Sequence, residues 1–254
     1  MTRKKNNITV EPKNKKQKEF ISAITEKPIV FAVGAAGSGK TFLAAAKALE
    51  YLEFAFVDRI IIVRPVVATE DIGFLPGDIK EKLDPYLLPL MDAFISLSNP
   101  RRVQDLTQTG EIEIAPLAFM RGRTFSDAFV ILDEAQNTTV EQMRMFLTRF
   151  GENVKVVVTG DLTQSDIKGT NGLQWAIEKL RYCESVHTVR YNNSDVVRSS
   201  LVRDILKYID SDDKSKTSHE AAISAFIRPT FVGNGQDEGH QFNSSATQVS
   251  AVNS

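Results

Sequence analysis

Two glycines, a lysine and a threonine stand at fixed spacing in the segment Gly34-x4-Gly39-Lys40-Thr41. Glycine lets backbone N–H groups curl around a polyphosphate without interference from a Cβ atom. The lysine can reach the β- and γ-phosphates, and a threonine hydroxyl can be a ligand of Mg2+. This GxxxxGK[ST] spacing predicts a loop that binds ATP and Mg2+, formed by Gly34, Ala35, Ala36, Gly37, Ser38, Gly39, Lys40 and Thr41. The alternative is a glycine-rich turn that carries an exposed lysine.

A pair of carboxylates, Asp133 and Glu134, ends the apolar run in "FVILDEAQN". If the run is a strand of the same sheet, its carboxyl end lies near the phosphates. Asp133 is then suited to hold Mg2+ through a water molecule. Glu134 is suited to orient and deprotonate the water that attacks the γ-phosphate. The alternative is an acidic strand end that caps the next helix.

A third motif, "VVVTGDLTQ", ends an apolar run in a small turn that presents Asp161 and Gln164. An amide at this point could report whether the γ-phosphate is present. Gln164 is therefore predicted to belong to the catalytic site. The alternative is a glutamine that only makes hydrogen bonds within its own loop.

Positioning these motifs requires a sheet whose strands end together. Between residues 19 and about 210, short apolar runs alternate with helical patterns, which is typical of an α/β fold with a parallel sheet. Ligands of such sheets bind at the carboxyl ends of the strands. The predicted strands are Ile29–Val33, Arg59–Val63, Glu111–Ala115, Phe129–Leu132, Val154–Thr159 and Val186–Val189.

Two helices are predicted from caps and apolar periodicity. The first begins at Thr138, in a capping box with Glu141, and ends before Gly151. Its apolar face consists of Val140, Met143, Leu147 and Phe150. The second is capped by Ser194 and has an apolar stripe that consists of Val197, Leu201, Ile205 and Ile209.

Composition limits the classes of protein that the chain can belong to. The 254 residues are 25% charged and 42% hydrophobic with a net charge of −1, as in an ordinary soluble protein. No apolar run reaches the roughly 18 residues of a membrane helix, so no membrane partner is expected. The only cysteine, Cys183, indicates a reducing compartment, and the three histidines have no zinc spacing. A cytoplasmic protein is expected.

Charge and composition divide the chain into three predicted regions. Residues 1–18 carry seven Lys and Arg residues against Glu11 alone, and are either a solvated arm or a contact for a nucleic-acid backbone. Residues 19–210 form the predicted ATPase domain. Residues 211–254 are interpreted as a linker followed by a disordered tail.

The motifs together resemble a known family. The segments "GAAGSGKT", "APLAFMRGRTFSDAFVILDEAQNTT", "EQMRMFLTRFG", "VVVTGDLTQSD" and "DVVR" are similar to the PhoH-like proteins, P-loop ATPases of bacteria and phages that are associated with phosphate starvation. The resemblance covers residues 12 to 209. It implies a RecA-like core related to superfamily 1 helicases, ATP hydrolysis and an RNA-directed role. It also implies that the strand ending at Thr159 lies between the strands that precede Gly34 and Asp133.

Further site residues follow from this resemblance. Gln17 lies where related helicases carry a glutamine that reads adenine, although it could be only a polar residue on a helix. Arg64 and Arg121 are candidates for contacts with nucleic acid. Arg123 and Arg198 are candidates for the arginine that a neighbouring subunit supplies to the γ-phosphate. Surface salt bridges are the alternative for each arginine. Ser199 and Ser200 follow Arg198 where the family commonly has His-Pro, which puts any role of that histidine in doubt.

The resulting hypothesis is an ATPase coupled to RNA or single-stranded nucleic acid, similar to a helicase. The alternative is a nucleotide-gated binding switch with slow hydrolysis and no strand separation. A small-molecule kinase fits less well, because a kinase has no need of the Asp133–Glu134 and Asp161–Gln164 motifs. A superfamily 1 helicase closes its ATP site between two RecA-like halves, and one such half is predicted here. A ring or other homo-oligomer is therefore expected, and the resemblance to PhoH-like proteins implies a hexamer.

Overall fold

Six parallel strands form one sheet in the computed structural model, which describes residues 10–65 and 90–197. The strand order is β3-β2-β4-β5-β1-β6. All six predicted strands are confirmed, with each boundary within one residue of the prediction. The strands are β1 Ile29–Val33, β2 Arg59–Arg64, β3 Ile112–Pro116, β4 Ala128–Leu132, β5 Val154–Gly160 and β6 Val186–Arg190.

Helices cover both faces of this sheet. They are α1 Lys15–Glu26, α2 Lys40–Glu53, α3 Pro100–Gln108, α4 Val140–Leu147 and α5 Gly172–Lys179, together with a helical segment at 90–97. Alternate residues of each strand face opposite sides. Val30 and Ala32 pack with α1, α2 and α3, whereas Phe31 and Val33 pack with α4 and α5. The predicted α/β class, a RecA-like parallel sheet between helices, is confirmed.

The order of the strands brings the three motifs together. β5 pairs with β1 on one side and with β4 on the other, as the family resemblance implied. Since all neighbouring pairs are parallel, the loops after β1, β4 and β5 leave the same edge of the sheet.

None of the described helices combines the length and apolar character needed to cross a membrane.

The predicted start and end of α4 are wrong. Thr139, not Thr138, is the N-cap, and it forms a capping box with Gln142 instead of Glu141. The Thr138 hydroxyl instead donates to the carbonyl oxygen of Ala135 and closes the preceding 3-10 turn. In the pattern "TTVEQ", Thr138 stands three residues before Glu141 and Thr139 three residues before Gln142, so either pair could form the capping box. The preceding 3-10 turn engages Thr138 and leaves Thr139 as the cap.

The helix also ends at Leu147, with Thr148 as its C-cap, before it reaches Phe150. The residues of α4 that are buried are Met143 and Phe146. Phe150 instead forms a parallel bridge with Phe125, and its ring packs edge-to-face on Phe146 with centroids 5.1 Å apart. The chain therefore leaves the helix one turn earlier than its apolar periodicity predicts.

The predicted cap at Ser194 is wrong as well. Ser194 lies inside a short 3-10 helix, Asn193–Asp195, and donates its N–H to the side chain of the true N-cap, Asn192. The remainder of that predicted helix, including Arg198, lies outside the described residues. So do residues 1–9 of the predicted basic arm and all of the predicted tail, whereas the last four residues of the arm form the first turn of α1.

Candidate nucleotide-binding site

The loop between β1 and α2 is shaped as an anion-binding turn. Gly39 is the N-cap of α2 in the left-handed region (φ 84°), and no side chain caps the helix. The first N–H groups of this 14-residue helix therefore face the loop, together with the positive end of its dipole. Gly37 also has a positive φ, of 78°. The backbone thus presents donors to a phosphate group.

Lys40 is the first residue of α2, and its side chain reaches into this loop and is buried, not exposed as in the glycine-rich-turn alternative. Its ammonium donates to the carbonyl oxygens of Gly34 and Ala35 at 2.6 and 2.9 Å, and to the Ser38 hydroxyl at 3.2 Å. Burial lowers the pKa of Lys40, against the opposing effect of the nearby carboxylates, of which Asp161 has the largest influence. A bound polyphosphate would supply the negative charge that the buried ammonium favours.

Asp133 connects the ends of β4, β5 and α2. Its Oδ1 accepts hydrogen bonds from the hydroxyls of Thr41, at 3.0 Å, and of Thr159, at 2.5 Å. The adjacent hydroxyl and carboxylate of Thr41 and Asp133 are hard oxygen ligands, which is the chemistry that Mg2+ requires. No group of three or more His, Cys, Asp or Glu side chains that could by itself hold a metal ion exists in the described part of the chain. A metal here would therefore complete its shell with phosphate and water oxygens.

Glu134 directs its carboxylate between two donors. Its backbone is left-handed (φ 55°, ψ 39°), which turns the side chain out of the strand direction. Oε2 accepts a hydrogen bond from Gln136 Nε2 at 2.6 Å, and Oε1 lies 3.4 Å from Arg64 Nη2. The side chain is 39% exposed, so it remains accessible from the cavity. Arg64, a candidate for nucleic-acid contact, thus lies beside the candidate base.

One cavity of about 610 Å3 joins the predicted motifs. Its walls include the second part of the loop after β1 with the start of α2, the acidic pair after β4 and the turn after β5. The helical segment at 90–97 closes another side. The predicted residues that line it are Ala36, Gly37, Gly39, Lys40, Thr41, Arg64, Asp133, Glu134 and Gln164.

Gln17 lies under the same loop, in a second cavity of about 240 Å3 that also contacts Gly37 and Phe42. The side chain is buried. Its Nε2 donates to the carbonyl oxygen of Ser38 at 3.0 Å, and its Oε1 accepts from the Lys13 N–H at 2.7 Å. The amide therefore supports the loop and borders a space next to the nucleotide-binding turn.

The arginines after β3 lie apart from this cavity. Arg121 is exposed. Arg123 donates to both carboxylate oxygens of Glu113, at 2.5 and 2.9 Å, and lies 5.4 Å from the centre of the Phe125 ring. Its hydrogen bonds lower the pKa of Glu113. Neither Arg121 nor Arg123 lines the 610 Å3 cavity.

Sequence reasoning missed several residues of the site, among them Thr159 and Gln136. Thr159 interrupts the apolar run of β5 and its hydroxyl reaches Asp133. A polar residue at that position was a usable signal. Gln136 is buried and contacts both acidic-motif and β5-loop atoms. Nothing in its spacing distinguishes it from a residue that faces solvent.

Comparison with known proteins identifies relatives. The family model described as PhoH-like protein matches residues 9–210. A PhoH-like protein of Mycobacterium tuberculosis is 51% identical over 201 residues, which is 78% of this chain and 57% of that protein. A PhoH-like protein of Bacillus subtilis is 46% identical, over 81% of this chain and 65% of that protein. The Escherichia coli protein PhoH is 50% identical, over 74% and 55%. The chain thus matches little more than half the length of these relatives.

Proposed function

This chain belongs to the family of PhoH-like proteins, and on that premise we propose that it is a Mg2+-dependent ATPase coupled to RNA or single-stranded nucleic acid. The observation that carries the proposal is the meeting of Lys40, Thr41, Asp133, Glu134 and Gln164 on one cavity of about 610 Å3. A binding loop alone would not require a carboxylate in this position. A carboxylate there suits hydrolysis, because it can accept the proton that the attacking water must lose.

Each residue has a distinct role in the proposed reaction. The loop N–H groups and Lys40 bind the β- and γ-phosphates, and Thr41 and Asp133 hold Mg2+ directly or through water. Glu134 accepts a proton from the attacking water while the water oxygen forms a bond to the γ-phosphorus. The bond between the γ-phosphorus and the β–γ bridging oxygen breaks at the same time. Gln164 faces the γ-phosphate from the turn after β5. Mg2+, when bound, neutralises the charge that develops on the leaving diphosphate.

The position of Arg64 supports coupling to nucleic acid. Its guanidinium lies 3.4 Å from Glu134 and at the end of β2, so one side chain borders both the hydrolytic centre and the strand edge. A phosphate of an RNA backbone that attracted this guanidinium would alter the surroundings of the base. Arg121, which is exposed, is a second candidate for the same strand of nucleic acid.

Assembly and location complete the proposal. We propose a homo-oligomeric ring, a hexamer by family resemblance, in which Arg123 or Arg198 enters the neighbour's ATP site. The domain boundaries at residues 18 and 210 remain predictions. A reducing compartment that supplies ATP, such as the bacterial cytoplasm, fits the single cysteine.

The decisive experiment measures ATP turnover with Mg2+, alone and with single-stranded RNA or DNA. We expect ATP turnover in all three samples and a higher rate with at least one nucleic acid. The substitution Glu134→Gln should remove the turnover. A rate of ATP turnover that neither nucleic acid changes would instead favour the nucleotide-gated switch. Failure of the parent protein to hydrolyse ATP under every condition would refute the ATPase itself.

A further inference from the structure

Gln136 bonds to two motifs at once. Its Nε2 donates to Glu134 Oε2 at 2.6 Å, and its Oε1 accepts from the backbone N–H of Asp161 at 3.0 Å. The residue is 1% exposed, so its amide group is shielded from solvent, and its bond to Asp161 is buried. A single buried amide thus joins the proposed base after β4 to the turn after β5.

The orientation of this amide follows from its partners. A backbone N–H can only donate, so the amide oxygen must face Asp161. The NH2 group then points to Glu134, whose carboxylate can only accept when ionised. The two ends of Gln136 therefore cannot exchange roles without breaking both bonds.

Gly160 creates the space for this contact. A Cβ at that position would lie 2.7 Å from Gln136 Oε1 and 2.6 Å from a methyl carbon of Leu173. Any larger residue at the end of β5 would therefore displace the amide or the core. The absence of a side chain at Gly160 allows Gln136 to reach the backbone of Asp161.

Further bonds tie the same two segments together. The Ser165 hydroxyl donates to the carbonyl oxygen of Gln136 at 2.9 Å, and the Asp166 N–H donates to Asn137 Oδ1 at 3.1 Å. Gln164 directly precedes Ser165 and donates its own N–H to the carbonyl oxygen of Asp161 at 3.0 Å. Movement of the turn that carries Gln164 would consequently be transmitted to the segment that follows Glu134.

We infer that Gln136 is a positioning residue that fixes the Glu134 carboxylate and couples it to the turn that carries Gln164. This inference rests on the proposed function of Glu134 as the base. Glu134 is partly exposed and has a left-handed backbone, so its side chain needs a partner to hold one rotamer. Gln136 supplies that partner from a rigid, buried position, and a displacement of about 1 Å at a reacting group can cost about 10²-fold in rate.

Two substitutions separate the halves of this contact. Gln136→Glu keeps an acceptor for the Asp161 N–H but loses the donor to Glu134, and Gln136→Met loses both. We expect each to lower the kcat of ATP hydrolysis at least tenfold while the Kd for ATP changes less than about twofold. Asn137→Ala is the matched control, because it removes one side-chain bond to the β5 turn from the same 3-10 segment and leaves the bonds of the Glu134 side chain intact. Its kcat should remain near that of the parent.

A double-mutant cycle tests whether the effect passes through Glu134. Single-turnover hydrolysis is measured for Gln136→Glu in the parent and in the Glu134→Gln background. In the Glu134→Gln background, we expect Gln136→Glu to slow hydrolysis by less than about twofold, because the carboxylate that Gln136 positions is absent. Equal fold-losses in both backgrounds, or full kcat in Gln136→Glu, would overturn the inference. If Glu134→Gln itself turned over ATP at the parent rate, the proposed base would be wrong and the inference would fail with it.

Discussion

At the residue scale, Lys40 and Glu134 separate binding from chemistry. Lys40 lies within the loop that would hold the phosphates, whereas Glu134 faces the cavity from the end of β4. We expect Lys40→Ala to abolish ATP binding and Glu134→Gln to bind ATP and trap it. Loss of an oriented base should slow hydrolysis by about 10²-fold or more. Equilibrium binding and single-turnover hydrolysis measure the two effects, and parent-rate hydrolysis by Glu134→Gln would exclude it as the base.

Thr41 provides a residue-scale test of the metal site. Its hydroxyl lies 3.0 Å from Asp133 Oδ1, and these two side chains would hold Mg2+. We expect Thr41→Ala to lose most of the difference in ATP affinity between Mg2+ and EDTA. Thr41→Ser keeps the hydroxyl and should retain that difference. An unchanged Mg2+ effect in Thr41→Ala would remove the hydroxyl from the metal site.

At the element scale, the close approach of β1 and β6 requires a glycine. A Cβ at Gly34 would overlap the carbonyl oxygen of Tyr191, and Gly34 has a φ of 138°. Gly122 is a control with a positive φ of 81° and no described atom within 4 Å of an added Cβ. We expect Gly122→Ala to lower the free energy of unfolding by about 1–2 kcal/mol through backbone strain alone. Gly34→Ala should lower the free energy of unfolding by about 1–3 kcal/mol more than Gly122→Ala does, because its Cβ also overlaps the Tyr191 carbonyl.

Urea denaturation of the nucleotide-free protein compares the two glycine variants. The nucleotide-free state matters because ATP would add its own stabilisation to any variant that still binds it. Equal losses for Gly34→Ala and Gly122→Ala would show that the Tyr191 carbonyl can move aside at little cost.

The end of β6 contains a second element-scale test. The Tyr191 hydroxyl has no hydrogen-bond partner within the described part of the chain, and burial raises the pKa of Tyr191. Its ring packs edge-to-face on Phe20 of α1. Since an unsatisfied buried hydroxyl is unfavourable, we expect Tyr191→Phe to raise the free energy of unfolding by about 1 kcal/mol. Tyr51→Phe, which removes a hydroxyl that donates to Ile24, should not stabilise the protein.

Thermal or urea unfolding distinguishes the two tyrosine variants. A loss of stability in Tyr191→Phe would contradict the prediction and indicate that the hydroxyl has a partner, such as a buried water molecule.

At the scale of the whole molecule, the proposed ring would complete each ATP site with a neighbour's arginine. An arginine in this role contributes roughly 10³–10⁵-fold in rate. We expect Lys40→Ala and Arg198→Ala proteins, each inactive alone, to regain part of the activity when they are mixed before assembly. Some interfaces would then combine an intact loop with an intact arginine. The same mixture made with Arg123→Ala tests the other candidate.

Two measurements control the mixing experiment. Light scattering with ATP and Mg2+ must show an oligomer, and each variant must remain inactive when it is treated alone in the same way. A protein that is monomeric under these conditions and still hydrolyses ATP efficiently would refute the ring.

Local patterns in the sequence determined the strands, the phosphate-binding loop and the acidic pair. Each depends on residues that are close together in the chain. Ile29–Val33 is an apolar run of strand length, and the glycines that follow it allow one class of turn. Helix ends were less predictable, because "TTVEQ" offers two capping registers and periodicity continues past the true end of α4 at Leu147.

Only the tertiary structure decided which distant side chains would meet. The pairing of Leu132 with Val158 places Asp133 beside Thr159, and the pairing of Val63 with Leu132 brings Arg64 to the acidic pair. The buried link through Gln136 depends on the same register. Such contacts join residues far apart in the chain, and their geometry is set by the strand order and by the register in which the strands pair. A local pattern contains neither the strand order nor the register. The chemistry of the phosphate-binding loop was therefore predictable from the sequence, whereas the positioning of the proposed base, Glu134, was not.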